Sequence, residues 1–382
     1  MRYTTAGESH GRALLAIVTA VPAGISVDIA LLDADLARRQ RGYGRGGRQA
    51  IESDRVTVLS GVRFGRTLGS PVALSVSNRD WENWTQVMAV SGDKPLDIRE
   101  TQPRPGHADL AGIQKTGSDD ARDILERASA RETAARVAAG GVAKSLLAHF
   151  GVSISSYVEA IGSVAAAGLD PETVDTQAAL SSDVSCPDEE AAALMRNAID
   201  AARLAGDSLG GVFVVRASGL VPGLGSYAEA ARRLDAELAA AVMSIPAIKG
   251  VEFGLGFEAA ALPGSQVHDP IEYQADGGFR RLSNRAGGLE GGMSNGEMLV
   301  VRAAMKPIPT LMQPLATVDI DTHQRADASR ERSDVCAVPA AAVVGEAEVA
   351  LVLANAYAEK FGGDCVSDMV SAVDAYRDRV SS

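Results

Sequence analysis

The stretch DDARDILERASARETAARVAAGGVAKSLLAHF, residues 119–150, is the longest helical pattern in the chain. Its two leading acids suit the positive end of a helix, and Ala, Leu, Glu and Arg recur behind them at helical spacing. Gly140 and Gly141 stand inside the pattern, where they predict either a break or tight packing against a neighbouring element. The stretch therefore predicts a fold with long helices.

Strand patterns alternate with further helices over the rest of the chain. Helices are predicted at 30–40, 189–204, 228–243, 340–361 and 367–380, with Gly362 as the stop of the fourth. Runs rich in Val and Ile predict strands at 14–21, 54–62, 71–77, 152–164, 211–221, 250–260, 297–306 and 316–321. The mixture of the two patterns predicts an α+β fold.

The length of the chain and one internal echo bear on its domain organisation. We interpret residues 1–382 as a single large domain, long enough to bury a sizeable core. A strand, then Val21-Pro22-Ala23-Gly24, then a helix are echoed about 200 residues later by a strand, then Val221-Pro222-Gly223-Leu224-Gly225, then a helix. The echo raises the hypothesis of an internal two-fold repeat of βαβ-type units.

Charge and composition exclude several classes of protein. The 49 acids outnumber the 37 Lys and Arg residues, and the net charge of −12 argues against broad binding to nucleic acid or to an anionic membrane. The start MRYTTAGESHGR lacks the pattern of an export signal, and no long apolar run predicts a membrane span. Three scattered cysteines predict neither disulfides nor a metal cluster. We therefore expect a cytoplasmic protein.

One short segment runs against the acidic balance. RRQRGYGRGGR, residues 38–48, holds five arginines and no acid. Planar guanidinium groups bind phosphate and carboxylate in bidentate fashion and keep their charge, so the segment predicts an anion site. Two other interpretations stay open here: a solvated basic loop, and an RGG-like arm that binds RNA, which the acidic whole disfavours.

Two histidines lie in glycine-rich, charged surroundings that favour proton transfer, His10 in GESHG and His107 in RPGHAD. The alternative for each is a solvated loop side chain, which is also our interpretation of the other histidines. Arg127 and Arg131, four residues apart in ERASARET, share a helix face, although they could instead form salt bridges with Glu126 or Glu132. No P-loop, Rossmann fingerprint or nucleophile elbow is present in the sequence.

Seven motifs, taken in order, resemble those of the chorismate synthase family from near the first residue to near the last. They are GESHG, RRQRGYGRGGR, RPGHAD, ERASARETA, GGLEGGMSNG, MKPIPT and ERSD. Each motif alone is weak, but seven in sequence are highly specific. The resemblance implies a layered β-α-β sandwich with long central helices, assembled as a homotetramer.

The resemblance also implies a reaction. The family eliminates phosphate from 5-enolpyruvylshikimate 3-phosphate to give chorismate, the last common step of the shikimate pathway for aromatic amino-acid biosynthesis. The reaction is redox neutral yet requires reduced FMN, which carries the difficult step while the protein supplies placement and electrostatics. Two sources of electrons stay open, NADPH used by the protein itself and an external flavin reductase.

Residue by residue, the resemblance implies three groups of site residues. Catalytic roles fall to His10, as proton donor to the leaving phosphate, to His107, near flavin N1, and to Asp334, near flavin N5. The positions that match contacts to substrate or NADP are Arg39, Arg45, Arg48, Arg104 and Arg131. The positions that match contacts to FMN are Arg127, Ala128, Ser129, Pro246, Ala247, Gly291, Lys306, Pro307, Ile308, Pro309, Thr310 and Arg332.

One position departs from the family. Position 246 often carries a polar amide side chain in relatives, whereas Pro246 offers neither side-chain polarity nor an N–H donor. The alternatives to the family's reaction are another FMN-dependent enzyme that acts on a phosphorylated metabolite, and an RNA-binding protein that uses RGYGRGG. We expect neither nucleic acid nor a membrane as a partner.

Overall fold

The computed structural model describes residues 1–46, 53–274, 278–329 and 334–381. The α-helices of these residues are α1 (Ile29–Gln40), α2 (Asp109–Thr116), α3 (Arg122–Ala128), α4 (Thr133–Ala148), α5 (Thr176–Ser181), α6 (Glu189–Leu204), α7 (Leu234–Met243), α8 (Gly264–Val267), α9 (Val338–Phe361) and α10 (Val366–Ser381). The strands up to residue 165 are β1 (Arg2–Ala6), β2 (Ala13–Thr19), β3 (Ala23–Ser26), β4 (Val56–Ser60), β5 (Val62–Arg63), β6 (Arg66–Leu68), β7 (Val72–Ser77), β8 (Ser153–Ile161) and β9 (Val164–Ala165). The later strands are β10 (Gly211–Ser218), β11 (Ile248–Phe253), β12 (Ile271–Gln274), β13 (Gly278–Arg281), β14 (Leu289–Glu290), β15 (Met293–Ser294), β16 (Leu299–Met305), β17 (Ala316–Val318) and β18 (Arg325–Asp327).

Two large antiparallel sheets form the outer layers. The first has the strand order β1-β2-β7-β4, and the second has the order β11-β16-β10-β8-β9. In β2, Leu14, Ala16 and Val18 are buried and alternate with exposed residues, because successive side chains of a strand point to opposite faces. Each sheet therefore has one face available to cover the core.

The helices α4 and α9 fill the space between the sheets. Helix α4 packs against β2 and β7 of the first sheet, α9 packs against β8 and β10 of the second, and the two helices pack against each other. Both helices are rich in alanine and are buried on most sides, which lets their backbones approach closely. The predicted layered β-α-β sandwich with long central helices is confirmed.

Helix α9 is long and apolar enough to cross a membrane, but it lies inside the protein. Of its most apolar window, 89% is buried among other elements. Its Glu346 is fully buried and accepts hydrogen bonds from Arg38, Lys144 and Ser156 at 2.6 to 2.7 Å. Burial alone would raise the pKa of Glu346, but the charges of Lys144 and Arg38 lower it to about 2. The helix is therefore tied into the core by charge as well as by apolar contacts.

Most predicted elements are present, and the differences have local causes. Helix α6 has the predicted bounds, and α9 and α10 begin one or two residues earlier than predicted. The helix predicted at 228–243 begins only at Leu234, because Arg233 is extended after a short 3-10 turn. The strand predicted at 250–260 ends at Phe253, because Gly254 adopts φ +53° and turns the chain.

The prediction of one continuous helix over residues 119–150 is wrong. The chain forms α3, a 3-10 turn at Ala130–Glu132 and α4 in succession. Ser129 separates them with an extended backbone (φ −64°, ψ 142°), and its hydroxyl accepts a hydrogen bond from the N–H of Arg131. The break changes the direction of the chain, and residues at the break line one wall of the cavity described below.

Candidate active site

A cavity of about 610 Å³ lies where the central helices meet loops from both halves of the chain. This volume is in the range of pockets that enclose a small molecule. One wall is apolar and built mainly of small side chains. It consists of Ala337, directly before α9, of Ala340, Ala341 and Val344 in the first turns of α9, and of Ile245, shortly after α7. The remaining walls carry most of the charged residues that the sequence predicted.

His10 is held on the cavity wall by a carboxylate and an aromatic ring. Its Nδ1 lies 2.8 Å from Oε1 of Glu126, and its backbone N–H donates to Oε2 of the same carboxylate at 2.8 Å. The imidazole stacks on Trp84 with 3.7 Å between ring centroids and 20° between planes. Both the position and the tilt of the ring are therefore restrained.

His107 has a carboxylate partner as well. Its Nδ1 contacts Oδ1 of Asp109, and Asp109 also accepts hydrogen bonds from the backbone N–H and the Nε of Arg104, at 3.0 and 2.9 Å. Burial would raise the pKa of Asp109, but the hydrogen bonds from His107 and Arg104 hold it well below its usual range. Arg104 donates further to the hydroxyl of Thr310 at 3.0 Å. Arg104 is thus part of the support of His107 as well as a cavity residue.

Arg39 and Arg131 share one buried acid. Arg131 binds both oxygens of Asp54 through Nη1, at 2.6 and 2.7 Å, while Arg39 lies 3.4 Å from Asp54 and donates to Thr133 at 2.9 Å. Burial, and after it the neighbouring charge of Arg131, lowers the pKa of Arg39 to about 9, so the guanidinium stays charged at neutral pH. Two cations around one anion leave net positive charge at this wall.

Arg45 and Asp334 form a second ion pair on the wall. Nη1 of Arg45 lies 2.8 Å from Oδ2 of Asp334, and the N–H of Gly46 donates to Oδ1 at 2.7 Å. Nε of Arg45 is buried and has no hydrogen-bond partner among the described residues. A buried donor without a partner is costly, so the site is incomplete without an acceptor in the cavity.

Two cavity cations, Arg127 and Lys306, contact only neutral oxygens among the described residues. Arg127 donates to the carbonyls of Thr5 and Gly7 and to the hydroxyl of Thr5, at 2.7 to 3.2 Å. Lys306 donates from Nζ to the carbonyl of Gly106. Without a carboxylate partner, each keeps its full charge available to an anionic ligand.

The segment after β16 runs along the cavity beside a strained turn. The backbone N–H of Lys306 donates to the carbonyl of Ala247 at 2.9 Å, and Ala247 has a left-handed backbone with φ +69°. Such a conformation is unfavourable for alanine and often occurs at ligand sites. Pro246 and Ala247 both line the cavity, and so do Ile308, Pro309 and Thr310.

The structure brings most of the predicted site residues together around this cavity. They are His10, His107, Asp334, Arg39, Arg45, Arg104, Arg131, Arg127, Ala128, Ser129, Pro246, Ala247, Lys306, Ile308, Pro309 and Thr310. Pro307 and Gly291 do not line it: Pro307 is turned to solvent, and Gly291 is exposed in the turn between β14 and β15. Arg48 and Arg332 lie outside the described residues.

Three of the four described arginines of the segment are bound to acids within the protein, whereas Arg41 is exposed. Arg38 binds Glu346 at 2.6 Å, Arg39 is 5% exposed beside Asp54, and Arg45 binds Asp334. These internal pairs also leave little of the segment for an RNA arm.

Several residues of the site escaped the sequence analysis. Glu126, Asp109 and Asp54 hold the predicted histidines and arginines, and Trp84 stacks on His10. Asp109 stands two residues after His107 in RPGHAD, a spacing that a search for carboxylate partners of histidine would have found. Nothing in the local sequence links Asp54 or Trp84 to the site.

Comparison with known proteins places the whole chain in one family. The model of the family described as "Chorismate synthase" matches residues 1–358. A chorismate synthase of Symbiobacterium thermophilum is 57% identical, with all of both chains covered, and one of Geobacter sulfurreducens is 53% identical, with 100% of this chain and 99% of the relative covered. A solved structure titled "Crystal Structure of Chorismate Synthase" has a TM-score of 0.81 and 42% identity, and covers 100% of this chain and 98% of its own. The chain belongs to the chorismate synthase family.

Proposed function

We propose that this cavity eliminates phosphate from 5-enolpyruvylshikimate 3-phosphate to give chorismate, the lyase reaction of the family. The observation that carries the proposal is the pair of histidines, His10 and His107, each bonded through Nδ1 to a buried carboxylate and set among cations in one cavity. Such pairs are suited to hold and move protons near neutral pH.

The charge of the cavity suits the substrate. 5-Enolpyruvylshikimate 3-phosphate carries two carboxylates and a phosphate, and the walls hold Arg39, Arg45, Arg127, Arg131 and Lys306. In a protein of net charge −12, cations concentrated in a cleft attract the anion locally. We assign the phosphate and carboxylate contacts of the substrate to Arg39, Arg45 and Arg131, with Arg48 and Arg104 as further candidates.

The described residues also fit a flavin nucleotide. The small apolar side chains of α9 offer a surface for a flat ring, and Arg127 and Lys306 offer cations for a phosphate. Reduced FMN, when bound, supplies electron density to the substrate as phosphate leaves and recovers it, so the reaction is redox neutral. The remaining candidate contacts are Ala128, Ser129, Pro246, Ala247, Gly291, Pro307, Ile308, Pro309, Thr310 and Arg332.

His10 is the proposed proton donor to the leaving phosphate. Its proton would move from Nε2 to a phosphate oxygen as the C–O bond breaks, which avoids the release of a trianionic phosphate into a closed cavity. We assign His107 to hold a proton near flavin N1 and Asp334 to act near flavin N5. The proposal also includes a homotetramer in the cytoplasm whose FMN is reduced by NADPH or by an external flavin reductase.

The experiment is anaerobic release of phosphate and chorismate from 5-enolpyruvylshikimate 3-phosphate, with FMN reduced by dithionite or left oxidised. We expect both products in equal amounts, and only with reduced flavin. His10→Ala and His107→Ala should each lower kcat by about 10²- to 10⁴-fold, the usual worth of general acid–base catalysis, with flavin binding retained. His149→Ala, on the exposed end of α4, is the matched control and should keep the wild-type rate.

Two results would count against the proposal. Product formation with oxidised flavin would remove the cofactor's role, and wild-type rates for both cavity variants would remove the histidines. Folded, flavin-bound protein that released no phosphate would instead favour another FMN-dependent reaction on a phosphorylated metabolite.

A further inference from the structure

Two hydrogen bonds join His10 to Glu126. One carboxylate bonds to both the backbone nitrogen and the ring nitrogen of the same residue, at 2.8 Å each. Glu126 itself is 2% exposed and does not line the cavity. We infer that Glu126 is the positioning residue that fixes the orientation and the tautomer of His10.

The tautomer follows from the charge of Glu126. Burial would raise the pKa of this carboxyl, but its hydrogen bonds with His10, and the charges of His10 and Arg122, lower it below its usual value. An ionised carboxylate only accepts hydrogen bonds, so Nδ1 of His10 carries a proton in both of its charge states. Proton exchange with a ligand in the cavity therefore runs through Nε2.

The stacked indole completes the restraint. Trp84 lies parallel to the imidazole, and its own Nε1–H donates to Asp80 at 3.1 Å, which fixes the indole in turn. Glu126 sets the direction of the ring in its plane, and Trp84 sets the plane. With both in place, Nε2 has one direction in which to present its proton.

The carboxylate also has an electrostatic role. Its negative charge lies in direct contact with the imidazole of His10, and the positive charge of Arg122, 3.1 Å from Oε1, partly offsets it. Among the described residues, the charged groups around His10 include Glu126 and Arg122 from α3, Asp80 behind Trp84, and Glu8 two residues earlier in the chain, with the cavity cations on the cavity side. Loss of Glu126 removes the acid in direct contact with the ring. The inference rests on the proposed role of His10 as proton donor.

A double-mutant cycle tests the inference on the full-length protein with reduced FMN. Glu126→Gln should lower kcat by about 10- to 100-fold, as loss of an orienting partner does elsewhere, with little change in KM. In a His10→Ala background the same substitution should change kcat by less than about twofold, because Glu126 acts only through His10. Asp123→Asn is the matched control: it removes one acid from the exposed side of α3 and should leave kcat unchanged.

A second readout does not depend on catalysis. The chain has two tryptophans, so a Trp81→Phe variant leaves Trp84 as the sole indole, and its fluorescence reports on the imidazole stacked against it. At one fixed pH, the emission of Trp84 should change in Glu126→Gln, which releases the ring from its carboxylate, and stay the same in Asp123→Asn.

The outcomes are distinct. Equal losses of kcat from Glu126→Gln with and without His10, or an unchanged emission of Trp84, would overturn the inference. Wild-type rates for His10→Ala would instead remove the proposed role of His10, and the emission of Trp84 would still show whether Glu126 holds the ring. If Glu126→Gln failed to fold, Glu126→Asp, which keeps the charge but shortens the reach, should change the emission of Trp84 and lower kcat.

Discussion

Arg127 and Arg131 lie four residues apart in one motif, but their surroundings give them different tasks. Arg131 is 8% exposed and binds both oxygens of Asp54, with its Nε donating to Asn78 at 2.9 Å. Arg127 is exposed and contacts only neutral oxygens among the described residues. One side chain is built into the protein, and the other is available to a ligand.

Substitution of Arg127 should affect binding alone, whereas substitution of Arg131, which is also a proposed substrate contact, should affect stability as well. Arg127→Ala should weaken the affinity for an anionic ligand by about 1.5 to 3 kcal/mol, the worth of a charge-assisted hydrogen bond, and leave stability within about 0.5 kcal/mol. Arg131→Ala should destabilise the fold by about 3 to 5 kcal/mol, because it leaves Asp54 buried beside a single distant arginine. Thermal unfolding and titration of FMN and substrate measure the two effects.

The prediction fails if Arg127→Ala unfolds the protein or leaves both affinities unchanged. Arg127→Lys is the control for charge alone, since it keeps the positive charge but loses the planar guanidinium group.

The residues of the site were predictable to the extent that their chemistry is visible in short motifs. His10, His107 and the arginines stand beside glycines and within recognisable runs, and those that are described line the cavity, except for Arg38 and Arg41 of the arginine segment. The carboxylate partners of His10 and Arg131 were not predictable, because Glu126 is 116 residues from His10 and Asp54 is 77 residues from Arg131. Such pairs are determined by folding and not by local sequence.

At the scale of elements, the packing of α4 depends on the two glycines in its middle, Gly140 against α9 and Gly141 against α1. A Cβ on Gly140 would lie 2.4 Å from Cβ and 2.6 Å from Cα of Ala347 on α9. A Cβ on Gly141 would lie 2.6 Å from Cγ of Leu32, a flexible side chain on α1. Of the two outcomes that the sequence allowed, tight packing is the one observed, and α4 continues unbroken.

Substitution by alanine should therefore destabilise the protein by different amounts at the two positions. Gly140→Ala pushes the backbones of the central helices apart and should destabilise the protein by about 1 to 3 kcal/mol, after a gain of roughly 1 kcal/mol in helix propensity. Gly141→Ala can be accommodated by a new rotamer of Leu32 and should cost about 1 kcal/mol or less. Apparent melting temperatures of the two variants and the wild type, at one protein concentration, give the order.

Equal melting temperatures, or a larger loss for Gly141→Ala, would contradict this interpretation of the helix contact. Ala139→Gly, one residue earlier in α4, gives for comparison the cost of a glycine in this helix together with the loss of one buried methyl group.

The elements themselves were predictable where the pattern was long and uninterrupted. Helix α6 matched because an amphipathic run with Asp188 as its N-cap states both its type and its start. The break at Ser129 was missed because residues 119–150 keep helical spacing throughout, and a serine inside such a run is no stronger a signal than a surface position. At Ser129, the hydrogen bond to the hydroxyl of Ser9 and the position on the cavity wall outweigh the helix propensity of the segment.

At the scale of the whole molecule, the two halves of the chain follow one plan. In the first sheet the strands lie in the order β1-β2-β7-β4, and the corresponding strands of the second lie in the order β8-β10-β16-β11. If the four strands of each half are numbered in chain order, their order across the sheet is first, second, fourth, third in both halves. A helix joins the second and third strands in both halves, α1 or α7, and a central helix follows the fourth, α4 or α9.

The two sequence echoes occupy matching places in this plan, directly after the second strand of each sheet. In the first half the hydroxyl of Thr67 donates to the carbonyl of Pro22 at 2.5 Å and accepts from the N–H of Ile25 at 2.9 Å. In the second half the hydroxyl of Ser294 donates to the carbonyl of Val221 at 2.7 Å and accepts from the N–H of Leu224 at 2.9 Å. We propose that the domain is an internal two-fold repeat, with these hydroxyls as equivalent ties.

The proposal predicts matched costs when either tie is removed. Thr67→Val and Ser294→Ala each leave one buried carbonyl and one buried N–H without a partner, since both hydroxyls are only 3% exposed. Each should destabilise the protein by about 1 to 3 kcal/mol, and the double variant should lose the sum, because the ties lie in separate hairpins. Thr57→Val, on the exposed face of β4, is the matched control and should change stability by less than about 0.5 kcal/mol. Unfolding in denaturant at a fixed protein concentration measures all four. A large cost for one tie and none for the other would mean that the two turns, although alike in geometry, do not perform the same structural task, and the repeat would then be a likeness of topology alone.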